Sequence, residues 1–129
     1  MAVGLGDVAF VIGLGLVGQI VVALLRANGC RVLGSDLDSS KCETALRMGA
    51  EAARSDLGVA EALERTRGIG ADAVLIAAST PSDGPIQLAA DLVRQKGRVI
   101  ALGAIGLNLP RRPFYFKEAE FVVSCSYGP

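Results

Sequence analysis

The sequence predicts an α/β domain, a doubly wound six-stranded parallel sheet with helices on both faces. Three observations predict it. Short aliphatic runs alternate with longer helix-patterned segments along the whole chain. Glycines or capping polar residues stand at most of the junctions. A glycine-spaced turn, Gly13-Leu14-Gly15-Leu16-Val17-Gly18, joins the first apolar run to the first helical one. The length, 129 residues, fits a single domain, and 51% hydrophobic against 5% aromatic residues calls for a core of aliphatics.

Taken in order, Val8 to Ile12 reads as the first strand and Leu16 to Asn28 as a helix closed by Gly29. Arg31 to Ser35 is the second strand, ending at Asp36. Ser39 is the expected cap of a helix running through Met48, with Asp38 as a turn acid, and Ala50 to Arg54 is a short third strand. Ser55 or Asp56 is expected to cap a helix that carries Val59 and Leu63 and ends at Gly68 and Gly70. Asp72 to Ala78 is the fourth strand, Ser79 to Pro85 a turn-rich loop, Ile86 to Gln95 a helix and Arg98 to Leu102 the fifth strand. A proline-marked connection, Pro110 to Pro113, and a short turn around Phe114 to Glu118 lead to a last strand, Glu120 to Ser124. Right-handed crossovers between repeated βα units give the strand order 3-2-1-4-5-6, with the ligand crevice at the carboxyl ends of the strands.

Charge and cysteine content exclude several functions. Thirteen basic residues balance thirteen acidic ones without a basic block, which argues against a nucleic-acid surface. The uncharged run from Val8 to Leu25 approaches the length of a membrane span. Its three glycines, Asp7 before it and the lack of flanking Lys or Arg favour a buried strand followed by a buried helix, with no membrane association. Cys30, Cys42 and Cys125 form no CxxC pair, and the chain has no histidine, so a standard zinc site is not expected on it. Reduced thiols in a cytoplasmic protein are the expectation.

The glycine turn carries the functional reading. Gly13 permits the tight turn, Gly15 lets backbone approach a pyrophosphate and Gly18 lets the helix lie close to the strand. Free N–H groups and the positive end of the helix dipole then meet the phosphates. With 16 glycines in the chain the spacing alone carries little, and its weight comes from the strand before it and the helix after it. Asp36 stands eighteen positions beyond Gly18 at the end of the next strand, where a carboxylate can accept both ribose hydroxyls of adenosine. The same charge repels a 2′-phosphate and no arginine follows it directly, which favours NAD over NADP, although Arg31 and Lys41 stand near in sequence.

These residues, with Met48-Gly49-Ala50, Gly70-Ala71-Asp72-Ala73-Val74, Lys96 to Gly103 and the closing Phe116-Lys117-Glu118-Ala119-Glu120, give the chain a resemblance over nearly its whole length. It resembles the cofactor-binding Rossmann domain of the medium-chain dehydrogenase/reductase superfamily, the zinc-type alcohol dehydrogenase-like enzymes. The tail, Arg112 to Glu118 and Ser124 to Pro129, is also similar to bacterial two-part oxidoreductases, in which a half of this type is joined to a sugar-dehydrogenase-like half.

The resemblance implies roles residue by residue. Backbone at Leu16 and Val17 would bind pyrophosphate, Asp36 the adenosine ribose and Lys41 its neighbouring hydroxyl. Ala77 and Ala78, at the end of the fourth strand, would line the adenine-side ribose and the approach to nicotinamide. Leu102, Gly103 and Ala104 would touch the nicotinamide end, and backbone at Cys125, Ser126 and Tyr127 the carboxamide. For the alanines, packing at a buried strand end explains the residue type equally well.

The family supplies its zinc ligands and catalytic groups from a separate domain, and this chain has no histidine, no paired catalytic carboxylates and no nucleophile beside a base. It therefore reads as the cofactor-binding half of an enzyme whose catalytic domain is missing, inactive alone. Phe121 to Cys125 would form an exposed apolar edge. Resemblance implies a homodimer through this strand, while coverage of the edge by the missing domain is the other reading. Two further function classes use similar glycine turns and strand-end acids. One is a nucleotide-sensing module of potassium-transport type, whose usual Gly-Asp-Ala/Thr segment is replaced here by Arg54-Ser55-Asp56. The other is an S-adenosylmethionine-dependent methyltransferase, which the Lys117-Glu118 tail does not suit.

Overall fold

β1 (Val8–Ile12) is buried at every residue, and its alternation shows why the run has no polar side. Val8, Phe10 and Ile12 belong to one apolar cluster, Ala9 and Val11 to another on the opposite face of the sheet. A parallel strand covered on both faces has no use for a hydrophilic residue. The structure is a computed structural model that describes residues 4–124. Around β1 it builds one six-stranded, all-parallel sheet in the order β3-β2-β1-β4-β5-β6, the predicted order.

The other strands are β2 (Arg31–Ser35), β3 (Ala52–Ala53), β4 (Ala71–Ile76), β5 (Val93–Ala101) and β6 (Glu120–Val123). The helices are α1 (Leu16–Ala27), α2 (Ser39–Arg47), α3 (Val59–Arg65), α4 (Gly84–Leu92) and α5 (Arg111–Lys117). Val22 and Leu25 of α1 and Cys42 and Ala45 of α2 close one face over Val11, Val32 and Leu75. Ala62 of α3 and Ile86, Ala89 and Leu92 of α4 close the other over Phe10, Leu33 and Val74. Each such fully buried large aliphatic or phenyl side chain contributes roughly 1.5–3 kcal/mol, so the core is held by many comparable small contributions. The uncharged run from Val8 to Leu25 resolves into β1 and α1, and no helix among the described residues is long and apolar enough to cross a membrane.

Several boundaries differ from expectation, each for a local reason. The cap of α2 is Asp38, not Ser39: its carboxylate accepts the N–H of Ser40 at 2.9 Å and the Ser40 hydroxyl at 2.7 Å. α3 starts after Gly58, which has no side chain to cap it; Asp56, two residues ahead of the cap position, pairs with Arg54 at 3.0 Å instead. β3 shrinks to two residues because only Ala52 and Ala53 pair with β2. α4 begins two residues before Ile86, with Pro85 in its first turn, where a missing N–H costs nothing, and stops at Leu92 rather than Gln95. β5 begins earlier than Arg98, since Val93 already pairs with Ala71. Pairing resumes at Arg98 after an irregularity in which Lys96 takes φ 61°.

Ala77 and Ala78 lie just beyond β4, which ends at Ile76. The expected turn around Phe114 is a helix, α5, with Pro113 in its first turn. Phe114 makes an edge-to-face contact with Phe121 at 6.3 Å, and the Lys117 ammonium donates to the carbonyls of Ala90 and Asp91 at the end of α4, at 2.6 and 3.1 Å. These contacts fix β6 and α5 to the sheet.

Candidate dinucleotide-binding crevice

The order of the sheet reverses between β1 and β4, and the segments leaving these strands part there. The N–H groups of Ala77 and Ala78 both reach the Ile12 carbonyl, at 2.7 and 3.2 Å, so β4's exit is anchored to β1. The glycine turn opens next to this anchor. Gly13 has φ +94°, and a Cβ on it would stand 2.5 Å from the Ala78 nitrogen. A Cβ on Gly18 would run into the Gly13 carbonyl oxygen, so α1 lies directly against the turn. Gly15, between them, has no neighbour within 4 Å of its Cβ direction. The turn is therefore crowded where it folds and open where it faces solvent.

Leu16 and Val17 begin α1, and their backbone N–H groups have no acceptor among the described residues. Their side chains are exposed at 79% and 51%. Two free donors at the start of a twelve-residue helix, beside an open glycine, are the arrangement that an anion cradle requires. Asp36 closes the adjacent side. Its Oδ2 accepts the N–H of Leu14 and its Oδ1 the N–H of Asp38, both at 2.8 Å. A carboxylate has about four lone-pair sites, so both oxygens keep capacity for a ligand diol.

Ile12, Gly13, Ser35, Asp36, Leu37 and Ser55, with residues after β4, line a cavity of about 460 Å³. Ala78 lines it directly, and Leu37 is exposed at its rim. Among the lining side chains only Asp36 is ionisable; serine and threonine hydroxyls supply the other side-chain hydrogen-bonding groups. Lys41 sits exposed in the first turn of α2, the helix that follows Asp36. Its backbone carbonyl accepts the Gln19 Nε2 at 2.8 Å, and the same amide donates to the Leu14 carbonyl at 2.9 Å. Gln19 thus ties the glycine turn to α2. Buried beneath α2, the Cys42 thiol donates to the Asp36 carbonyl at 3.4 Å, and its desolvation pushes the thiol pKa up, away from reactivity.

The expected nicotinamide end forms a second hollow. Leu102 and Gly103 donate to the Ile76 carbonyl at 2.8 and 3.1 Å, and a Cβ on Gly103 would strike the Ala78 carbonyl oxygen. Ala104 accepts from Thr80 at 2.8 Å, and a space of about 410 Å³ lies between Ser79, Thr80, Pro81, Ala104 and Ile105. The structure therefore brings Gly13, Gly15, Leu16, Val17, Gly18 and Asp36 together on one side of Ala78, and Leu102, Gly103 and Ala104 on the other. Cys125, Ser126 and Tyr127 lie outside the described residues. The sequence reading missed Gln19, Leu37, Ser55 and the lining contributed by the loop after β4. The rule that ligands sit beyond the carboxyl ends of strands could have pointed to Ser55 and to Ser79–Pro85; nothing in the spacing marks Gln19.

Comparison with known proteins agrees with this geometry. The sequence pattern of the family described as "Zinc-binding dehydrogenase" matches residues 17–129. A Mycobacterium tuberculosis protein named "Putative alcohol dehydrogenase D" is 38% identical over 101 residues, covering 76% of this chain and 27% of its own length. The alcohol dehydrogenase TADH from Thermus sp. ATN1 superposes with a TM-score of 0.84 at 27% identity, over 94% of this chain and 36% of that one. The 2R,3R-butanediol dehydrogenase from Bacillus subtilis shares the fold, with a TM-score of 0.87 at 24% identity over 98% of this chain and 38% of that one. A mycobacterial structure complexed with NADPH shares it too, with a TM-score of 0.83 at 18% identity over 98% of this chain and 41% of that one. The chain thus spans well under half of each of these proteins. With a strand-end acid bonded to its glycine turn, a six-stranded 3-2-1-4-5-6 sheet and a family pattern over residues 17–129, the chain belongs to the zinc-binding dehydrogenase family.

Proposed function

We propose that the chain is the nicotinamide-dinucleotide-binding domain of an alcohol, polyol or sugar dehydrogenase-like oxidoreductase, completed by a catalytic domain outside this sequence. The observation that carries the proposal is the pairing of Asp36 with Leu14 beside the free N–H groups of Leu16 and Val17. A diphosphate meets the donors while a ribose diol meets the carboxylate. In this reading Gly13, Gly15 and Gly18 shape the phosphate cradle, Lys41 assists Asp36 at the ribose, and Ala77 and Ala78 line the passage between the two hollows. Leu102, Gly103 and Ala104, with Cys125 and Ser126 from the tail, flank the nicotinamide. The bound cofactor supplies hydride transfer. The chain's own residues bind and orient it and exclude water from one face.

The charge of Asp36 favours NAD over NADP. The exposed β6 edge supports a homodimer, and the reading carries a cytoplasmic setting and zinc ligands supplied by the absent domain. Isothermal titration of the 129-residue chain with NADH, NADPH, S-adenosylmethionine and cyclic dinucleotides tests it. Preference for NADH supports the proposal. A cooperatively folded chain that binds no NADH sinks it, and tighter binding of S-adenosylmethionine or a cyclic dinucleotide transfers it to the methyltransferase or sensing class.

A further inference from the structure

Asp83 stands immediately before α4, where an acidic side chain ordinarily accepts one of the helix's own free N–H groups. It makes no such bond. Ser82 satisfies the helix instead, its hydroxyl accepting the Gly84 N–H at 2.9 Å. The Asp83 carboxylate turns across to the loop that follows β5 and accepts the Asn108 N–H at 3.2 Å. Two further bonds join the same loops: Thr80 donates to the Ala104 carbonyl at 2.8 Å, and Gly106 donates to the Ser82 carbonyl at 3.1 Å. Thr80 and Ile105 pair as an isolated parallel bridge. Gly106 fits the seam because it lacks a side chain. A Cβ there would collide with Asp83 Oδ1 and would stand 2.9 Å from the carbonyl oxygens of Pro81 and Ser82.

We propose that Asp83 is a positioning residue for the nicotinamide half of the site, latching the loop after β5 to the loop after β4 so that the segment Leu102–Ala104 holds one shape. This rests on the dinucleotide reading above. Thr80 and Ser82 also border the cavity at Asp36, but Ala104 and Ile105, on the loop the latch holds, line only the second hollow, so the effect of freeing that loop falls on the nicotinamide half of the ligand. A loop held at only one end samples many arrangements, and binding must then pay the ordering cost.

Three variants test this, with AMP as the probe of the adenosine half and NADH as the probe of both halves. Asp83→Ala removes the acceptor, Gly106→Ala wedges the seam from the other side, and Asp83→Asn keeps an amide oxygen able to accept from Asn108. Loss of a hydrogen bond to a charged group predicts about a tenfold rise in the NADH dissociation constant for Asp83→Ala and Gly106→Ala. Their AMP affinity should stay within about twofold of wild type, and Asp83→Asn should stay within about twofold on both probes. Unchanged NADH affinity in the first two variants overturns the inference. So does an equal loss on AMP and NADH, which would mark a general structural role.

Amide exchange reads the latch with no ligand present. The Gly106 and Asn108 amides should be protected in wild type, and Asn108 should exchange faster in Asp83→Ala; an unprotected Asn108 in wild type overturns the latch itself. Wild type that shows protection and binds AMP but not NADH removes the dinucleotide reading, and with it the latch's role in binding.

Discussion

Asp36 accepts the backbone N–H of Leu14 at 2.8 Å across the gap between β2 and the glycine turn. The residue proposed to read the ribose therefore also shapes the proposed phosphate cradle. Asp36→Ala should weaken NADH roughly 10- to 100-fold, the worth of one or two hydrogen bonds to a charged group. NADPH should lose less, because a repulsive charge leaves with the bond. The variant should also lose about 1–3 kcal/mol of stability from the stranded Leu14 donor. Asp36→Asn, which keeps one acceptor oxygen, separates the two effects when titration calorimetry is run beside urea unfolding. Equal losses for NADH and NADPH would contradict the charge argument.

The glycines of the turn should separate by function. Gly13→Ala forces a side chain into φ +94° and against the Ala78 nitrogen, so unfolding in urea should show a loss of more than about 2 kcal/mol. Gly15→Ala meets no atom within 4 Å, and its stability should stay within about 0.5 kcal/mol of wild type. Its methyl group instead fills the open face of the cradle, so dinucleotide affinity should fall without a change in the melt. A large stability loss in Gly15→Ala would show that the open face is closed in solution.

How much of this was legible in the sequence follows from the range of the interactions involved. The strand order rests on local pattern, buried runs punctuated by glycines, and it was read correctly; the same pattern places the glycine turn and Asp36 side by side at the strand ends. The element ends were set by contacts the pattern does not contain. Asp38 displaced Ser39 as a cap because its carboxylate reaches two Ser40 donors. α5 formed where prolines suggested a connection, since Phe114 packs on Phe121 and Lys117 reaches the end of α4. Gln19 and Asp83 were invisible for the same reason, because each joins segments more than twenty residues apart.

A chain of ion pairs should make stability depend on pH in the acid range. Glu51, just before β3, accepts from Arg31 at 2.9 Å and from Arg65 at 3.1 Å; Arg65 also pairs with Glu61, which meets Arg54. Hydrogen bonding from Arg31 chiefly, opposed by partial burial, lowers the Glu51 pKa from its ordinary 4.5. A carboxyl with a lowered folded-state pKa contributes stability that is present above the unfolded value and lost as pH falls through the folded one. Wild type should therefore exceed Glu51→Gln in melting temperature at pH 7, and the difference should shrink as pH falls below the ordinary 4.5 and through the lowered folded-state value. A difference that does not shrink with falling pH would show that Glu51 acts through packing rather than charge.

The β6 edge gives the last prediction. β6 bonds to β5 on one side, and among the described residues no strand pairs with its other side; Val122 and Val123 are 41% and 62% exposed. Two copies related by a twofold axis could pair these edges antiparallel, satisfying both rows of backbone groups at once. In the proposed homodimer, Val123→Lys places like charges close to the axis, a standard means of blocking edge pairing. Sedimentation velocity should show the wild-type chain shifting from monomer to dimer with concentration, and Val123→Lys remaining a monomer with an unchanged circular dichroism spectrum. Wild type that stays monomeric at high concentration would instead favour coverage of this edge by the proposed catalytic domain. In that case Val123→Lys should leave the isolated chain's hydrodynamics unaltered while weakening its association with a catalytic domain supplied as a separate polypeptide.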